Sequence, residues 1–267
     1  MSASFREQVR DRQRLTGTFF KTASYQAVEV LAGSGLDFIV LDAEHAPFDR
    51  NQLDVCLMAA RAGGLPALVR IPDDTPRSVL DVLDMGATGL LVPHARSAAD
   101  VQRVRAAARY RGGVRGFSNS PRAGGYGRTP MLAHVEASDR ESVVVCQIED
   151  REAVDAIDAI AAVNEVDCLF IGRADLAVSY DVWDINHPTI SDAVERICQR
   201  CKRAGKAVGI FLSDTRELPQ FLALGVSLFV IGSDQSLLRA QAASLAGQVR
   251  NAQPAQPGHA GRSEGGA

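Results

Sequence analysis

The chain has no run of Lys or Arg, no apolar stretch near the roughly 18 to 20 residues of a membrane span, and no second C-x-x-C to complete a zinc site. Each absence removes a class of function. A formal net charge of -3, from 29 Lys and Arg against 32 Asp and Glu, exerts no pull toward nucleic acid or an anionic membrane. The N-terminal "MSASFREQVRDRQR" is polar and lacks the apolar centre of a signal peptide, so a cytoplasmic location is expected. Cys56, Cys146, Cys168, Cys198 and Cys201 are an odd number in apolar contexts, which suits reduced, buried thiols rather than a disulfide framework. Cys198 and Cys201 form one C-x-x-C inside a helical pattern, where a structural role is expected.

What is present is alternation. A length of 267 residues with 46% hydrophobic and 23% charged residues is ordinary for a globular protein of one large α/β domain or two small ones. Apolar, β-branched runs occur at 16–22, 38–42, 66–71, 89–93, 143–149, 168–172, 207–211 and 228–232. Between them, segments such as "NQLDVCLMAARAGG" and "SDAVERICQRCKRAG" repeat apolar residues at three- and four-residue steps, as amphipathic helices do. Left-handed C-caps are expected at Gly63, Gly86, Gly205 and Gly225. Eight short apolar strands alternating with helices predict a (β/α)8 TIM barrel over residues 1–250, covered on its outer face. A doubly wound open sheet is the alternative, but no G-x-G-x-x-G follows the first strand. The connection 111–142, containing "VRGFSNSPRAGGYGRTP", is long enough to suggest a functional loop, and the Pro- and Gly-rich tail 251–267 is expected to be disordered. No linker and no further repeat interrupts the alternation.

In such a barrel the active site lies where the strands end. The second strand delivers Asp42, Glu44 and His45, the third ends at Arg70, the fifth at Gln147 and Glu149, and "GRADL" with Asp175 follows the sixth. Separated carboxylates suit a hard divalent cation such as Mg2+ or Mn2+, with other positions left to water or substrate. An arginine beside them can stabilise an oxyanion, and a histidine can move the proton. The combination suits enolate chemistry. Each residue also has an ordinary reading: Asp49 and Asp150 as N-caps, Glu149 and Asp175 as structural acids, Arg70 as an ion-pair partner, and His94 as either a pocket or a structural residue. His134, His187 and His259 are expected at the surface. Lys21 is the only lysine at a strand end, where a structural role is usual, so an imine route is disfavoured.

The ordered segments "LDAEH", "LVRI", "LDMGATGLLVP", "VRGF", "QIED" and "IGRADL" resemble those of the HpcH/HpaI family of metal-dependent class II pyruvate aldolases, over about residues 15 to 248. The resemblance implies Glu149 and Asp175 as ligands of Mg2+ or Mn2+, with Co2+ also admissible. It implies Arg70 on the pyruvyl oxygen and His45 in proton transfer. Gln147, Gly172, Arg173, Ala174, Asp175 and Leu212 are implied around the substrate, with the N–H groups of Ala174 and Asp175 on its carboxylate. Asp42 and Asp84 match further positions, Asp84 as a partner for His45. Since Asp84 precedes the fourth strand, it should sit at the opposite rim from its own His45 and reach only that of a neighbouring copy. The family forms homo-oligomers, usually hexamers.

Two departures stand out. Arg173 occupies a position where the family commonly has Pro, available to an anionic acceptor or to a nearby acid, and Arg122 with a glycine cluster could approach a substrate. No Lys-Ser/Thr follows those glycines to make a phosphate loop. The expected reaction is reversible cleavage of a 4-hydroxy-2-oxo acid into pyruvate, or a close 2-oxo acid, and an aldehyde. The rivals are a citrate-synthase-like or CoA-thioester reaction on the same site, and a non-catalytic dicarboxylate or metal-binding protein.

Overall fold

The computed structural model describes residues 3–252, and the expected disordered tail lies outside them from residue 253 onward. Eight parallel strands close into a barrel in sequence order. They are β1 (Leu15–Phe20), β2 (Phe38–Asp42), β3 (Ala67–Arg70), β4 (Gly89–Val92), β5 (Val143–Ile148), β6 (Cys168–Ile171), β7 (Ala207–Leu212) and β8 (Leu228–Ser233). This is the expected (β/α)8 TIM barrel. The first strand stops earlier than its apolar run suggests because the N–H groups of Lys21 and Thr22 donate to the Asp234 carboxylate, at 2.8 and 3.1 Å, instead of to a neighbouring strand.

Strand geometry alternates side chains between two faces. One set, including Phe19, Phe38, Val40, Leu68, Leu91, Val145, Phe170 and Val230, fills the barrel. The other set, including Phe20, Ile39, Leu41, Val69, Leu169 and Leu212, packs outward against the helices. Those helices start after the strands on good N-caps: Ser24 before α2 (Tyr25–Ala32), Asp49 before α3 (Arg50–Ala62), Thr75 before α4 (Pro76–Asp84) and Ser97 before α5 (Ala98–Ala108). Three of the four expected C-cap glycines have positive φ. At the fourth the positive φ falls on Gly64 instead, while Gly63 lets α3 approach α2: a Cβ there would stand 2.6 Å from that of Ala32. Cys198 and Cys201 are buried on α10 (Pro188–Arg203), and burial pushes both thiols up to about 12.

The N-terminal mouth is stoppered by α1 (Phe5–Arg10), whose Phe5 and Val9 join the barrel interior. Segment 111–142 also lies toward that end and has its own structure, a 3-10 turn at Arg122–Gly124 followed by α6 (Met131–Glu141). The expected surface position of His134 is therefore corrected: it is buried, with its ring Nε2 3.1 Å from the Tyr110 hydroxyl. Packing of α6 against Tyr110 and Phe117 encloses it, and burial, aided by Arg115, pushes its pKa down. His187 is exposed and caps α10, and His259 lies outside the described residues. No helix among the described residues is long and apolar enough to cross a membrane.

Candidate active site

Inward alternation carries past the last apolar residue of each strand and delivers polar groups to the C-terminal mouth. Asp42 follows Val40, Arg70 follows Leu68, and Gln147 follows Val145; all three are buried. The register sets Asp42 directly beside Arg70. Arg70 donates through Nε to Asp42 Oδ1 at 2.9 Å and through Nη2 to Oδ2 at 2.7 Å. Lys21 Nζ stands 3.1 Å from the same carboxylate, and the His45 N–H donates to it at 3.1 Å. Burial would push the Asp42 carboxyl up, but the hydrogen bonds and charge of Arg70, with His45 and Lys21, outweigh it and hold it below the usual carboxylate range. Asp42 stays ionised and fixes the guanidinium through Nε and Nη2, and Nη1 makes no hydrogen bond among the described residues.

Glu149 is the opposite case. It is buried beside Gln147, whose Nε2 donates to it, and it accepts the His94 N–H at 2.8 Å. Burial, with the charges of Asp175 and Glu44, pushes its pKa up to about 7 against the pull of His94. His94 holds φ +52° and so turns its N–H toward Glu149, while its ring Nδ1 lies 3.0 Å from Asp150. Asp150 occupies the N-cap position of α7 (Arg151–Asp155) but makes no cap bond, pairing with His94 and Arg96 instead; Asp49 does cap α3. His94, Glu149, Asp150 and Asp175 line one recess. Asp175 sits in the first turn of α9 (Arg173–Ser179), whose N-terminus has no side-chain cap.

Asp175 also borders a cavity of about 340 Å3 with Arg70, Gln147, Gly172 and Ala174. Phe19, Phe170 and Phe211 line its apolar part, with Arg70 stacked 4.5 Å over the Phe19 ring. Gly172 is required there: a Cβ would come within 2.8 Å of Glu149 Oε2 and 3.0 Å of Gln147 Nε2. The structure thus brings Arg70, Gln147, Gly172, Arg173, Ala174 and Asp175 to one space, with Asp42 and Glu149 behind it.

Other expected residues stand elsewhere. His45 has a half-exposed side chain 3.5 Å from Glu44, which in turn lies 3.3 Å from Arg70 Nε. Leu212 points outward into the helix-facing core, because it is one residue out of phase with the inward positions; Phe211 and Ser213 line the cavity instead. Counting in twos from Ala207 would have found them. Arg173 lines the cavity but is held by Glu217 through two bonds of 2.7 Å and stacks 4.9 Å over Phe221. Asp84 ends α4 on the opposite side of the barrel, bonded at 2.9 Å by Arg115. Arg122 lies there too, donating to Asp54 at 2.7 Å and to the Met85 carbonyl at 3.1 Å. The neighbouring glycines serve the loop's own folding: a Cβ on Gly124 would strike the Asn119 carbonyl at 2.2 Å, and Gly125 and Gly127 have positive φ. Missed by sequence reasoning were Lys21 as an Asp42 partner and Arg239, far along the chain yet on the cavity wall.

Comparison with known proteins places this geometry. A family model described as HpcH/HpaI aldolase/citrate lyase matches residues 15–240. The 5-keto-4-deoxy-D-glucarate aldolase of Enterobacter sp. (strain 638) is 33% identical over 232 residues, covering 86% of this chain and 90% of that protein. The protein of the same name from Salmonella paratyphi C (strain RKS4594) is 33% identical over 244 residues, covering 91% and 94%. A crystal structure of an HpcH/HpaI aldolase/citrate lyase family protein from Burkholderia cenocepacia J2315 superposes with a TM-score of 0.87 at 33% identity, covering 92% of this chain and 98% of that one. Citrate synthase SbnG superposes with a TM-score of 0.83 at 29% identity, covering 92% and 98%. An ordered acid, arginine and amide constellation on a barrel of this topology, matched over nearly its whole length, makes this chain a member of the HpcH/HpaI aldolase/citrate lyase family, a family of carbon–carbon lyases.

Proposed function

We propose that the chain reversibly cleaves a 4-hydroxy-2-oxo acid into pyruvate, or a close 2-oxo acid, and an aldehyde, with a divalent cation held by Glu149 and Asp175. The observation that carries this reading is one cavity lined by both Asp175 and Arg70, with the buried Glu149 bonded to Gln147 of the same wall. The residues fit a hard cation. Glu149 is a carboxylate kept near its protonation point by burial, and the buried Gln147 Oε1 has no hydrogen-bond partner. Among the described residues no group of three or more His, Cys, Asp or Glu converges as a ready metal cluster. A two-carboxylate site suits Mg2+, Mn2+ or Co2+, which leave coordination positions to small oxygen ligands. When bound, the cation supplies Lewis acidity toward the oxygens of the 2-oxo acid.

The chain's own groups then have defined tasks. Uncapped N–H groups of Ala174 and Asp175 at the start of α9 would receive the substrate carboxylate. The C4 hydroxyl loses its proton, the C3–C4 bond breaks, its electron pair forms the C2–C3 double bond of the enolate, and the aldehyde leaves. Arg70, oriented by Asp42 and retaining free N–H donors, holds the enolate oxygen. Proton transfer falls to His45, linked through Glu44 to Arg70 at the mouth, with water completing the path. Protonation of C3 yields pyruvate. Asp84 would meet a histidine only in a neighbouring copy, within a homo-oligomer such as a hexamer in the cytoplasm.

Deuterium exchange of pyruvate methyl protons, followed by NMR, tests the enolate step without knowledge of the aldehyde. Exchange with Mg2+ or Mn2+ that stops with excess EDTA is expected; absence of exchange with metal present would overturn the pyruvate assignment. The likeness to citrate synthase SbnG sustains a second reading on the same site, a condensation or cleavage of a CoA thioester. Turnover that requires such a thioester would favour it.

A further inference from the structure

Glu149 is held by its neighbours at both oxygens. Gln147 Nε2 donates to Oε2, and the His94 N–H donates to Oε1 at 2.8 Å. Each carboxylate oxygen keeps a second lone pair that a cation can use. The donor at Oε1 comes from an unusual place. Pro93 has no N–H to give, and Ala95 returns its own to the Gln147 carbonyl at 3.2 Å, continuing the ladder between β4 and β5. Between them the backbone of His94 turns to φ +52°, out of the ladder and toward Glu149.

A residue with a Cβ seldom adopts that conformation, and it persists where the surroundings enforce it. Five described residues other than glycine have positive φ, and His94 is the one that borders a recess with Glu149 and Asp175. The enforcing contact is on its side chain. The ring Nδ1 stands 3.0 Å from Asp150 Oδ2, and since a carboxylate only accepts, Nδ1 carries the hydrogen. Asp150 is fixed in turn: Arg96 Nε lies 3.1 Å from its other oxygen, and it makes no bond to cap α7. One residue thus grips two consecutive acids at the exit of β5, Glu149 through its backbone and Asp150 through its ring. The ring is half-exposed, so core packing does not account for its conformation.

We propose that His94 is a positioning residue for the cation site: its ring, pinned by Asp150, holds the left-handed backbone whose N–H orients Glu149. This rests on the reading of Glu149 as a metal ligand. A ligand oriented before the cation arrives loses less freedom when the cation binds. Removing supporting contacts of this kind weakens metal binding about 10- to 100-fold.

Mn2+ affinity of the full-length protein, measured by calorimetry without substrate at a pH of about 8, tests the proposal through a ranking. Affinity should follow tolerance of positive φ and not side-chain polarity. His94→Gly adopts φ > 0 freely, and His94→Asn tolerates it and can still donate to Asp150, so both should bind within about threefold of the parent. His94→Ala should bind about 5- to 30-fold more weakly, and His94→Val, branched at Cβ, up to about 100-fold more weakly. Asp150→Ala should weaken the parent about fivefold more than it weakens His94→Gly; both backgrounds feel the lost charge, so the excess reads the grip of the ring. Equal loss in all four His94 variants would mean that the ring itself acts at the cation, and equal effects of Asp150→Ala in the two backgrounds that the ring is not the clamp. Either result overturns the proposal. Should His94→Val fail to fold, as judged by circular dichroism, His94→Gly, His94→Asn and His94→Ala still give the ranking. Glu149→Ala separates this inference from the reading beneath it. A parent that binds no Mn2+, or binds it equally well after Glu149→Ala, overturns the ligand assignment and the positioning role with it. Loss of binding in Glu149→Ala, with every His94 variant binding as the parent does, overturns the positioning role alone.

Discussion

Each mouth of the barrel holds a fully buried aspartate surrounded by cations. At the N-terminal mouth Asp167 accepts from Arg6 at 2.9 and 3.0 Å, from Arg10 at 2.8 Å and from the Val144 N–H at 2.9 Å. Arg109 stands 3.8 Å away; burial and the neighbouring Arg6 lower its pKa to about 10, which leaves it charged at neutral pH. Above this cluster α1 places Phe5 against Phe38, with ring centroids 5.5 Å apart, and closes the barrel. At the C-terminal mouth Asp42 has almost the same company, Arg70, Lys21 and a backbone N–H, yet a cavity opens beside it. The contrast teaches that a buried ion cluster is not by itself a sign of function. At the closed end the acid is fully committed to its partners. At the open end one buried acceptor, Gln147 Oε1, remains without a partner and Glu149 is poised near pH 7, whereas the unpaired buried atoms of the closed cluster are two donor nitrogens of Arg109.

Breaking the closed end should have the largest effect on folding. Asp167→Ala leaves Arg6 and Arg109 buried without their counter-ion and should cost about 3–5 kcal/mol of stability in urea unfolding. A loss below about 1 kcal/mol would mean that this cluster is not the structural lock its burial implies. Arg70→Ala should act mainly on turnover, lowering kcat about 10²- to 10³-fold. Near-normal kcat would remove Arg70 from the enolate role and make the open cluster as structural as the closed one.

The titration of Glu149 sharpens the same contrast. Its folded pKa near 7 lies above the usual unfolded value of about 4.3, so the metal-free protein should lose stability as pH rises between those values. Mn2+ must displace that proton, so its affinity should fall about tenfold per pH unit below 7 and level off above about 8. Calorimetry from pH 5.5 to 8.5 checks this, and a flat profile would break the assignment of Glu149 as a ligand. The smallest effect is expected at Asp49, a carboxylate near the catalytic mouth engaged in a capping box with Gln52. Asp49→Ala should cost about 1 kcal/mol of stability with turnover unchanged.

Much of the site was legible because strands have a period of two. Counting inward positions from Val40, Leu68 and Val145 lands on Asp42, Arg70 and Gln147. Leu212, which the resemblance implied, stands on the outer face, and the same count in twos from Ala207 gives Phe211 and Ser213 instead. His134 was harder, since only the packing of its helix against Tyr110 and Phe117 buries it. Arg122 and its glycines look like a substrate loop in isolation, and only the contacts with Asp54 and Met85 show that they serve the other end of the barrel in this chain.

By itself the sequence determined the order of the elements, the face on which each strand residue stands, and therefore which polar groups reach the C-terminal mouth; these follow from local backbone geometry and burial of apolar side chains. Tertiary structure alone decided which of those groups are already paired. Arg173 and Glu217 meet across 44 positions of chain, and barrel closure between β1 and β8 brings Lys21 and Arg239 to one cavity wall. Charge pairing depends on distances of a few ångströms in space, and no local period encodes those.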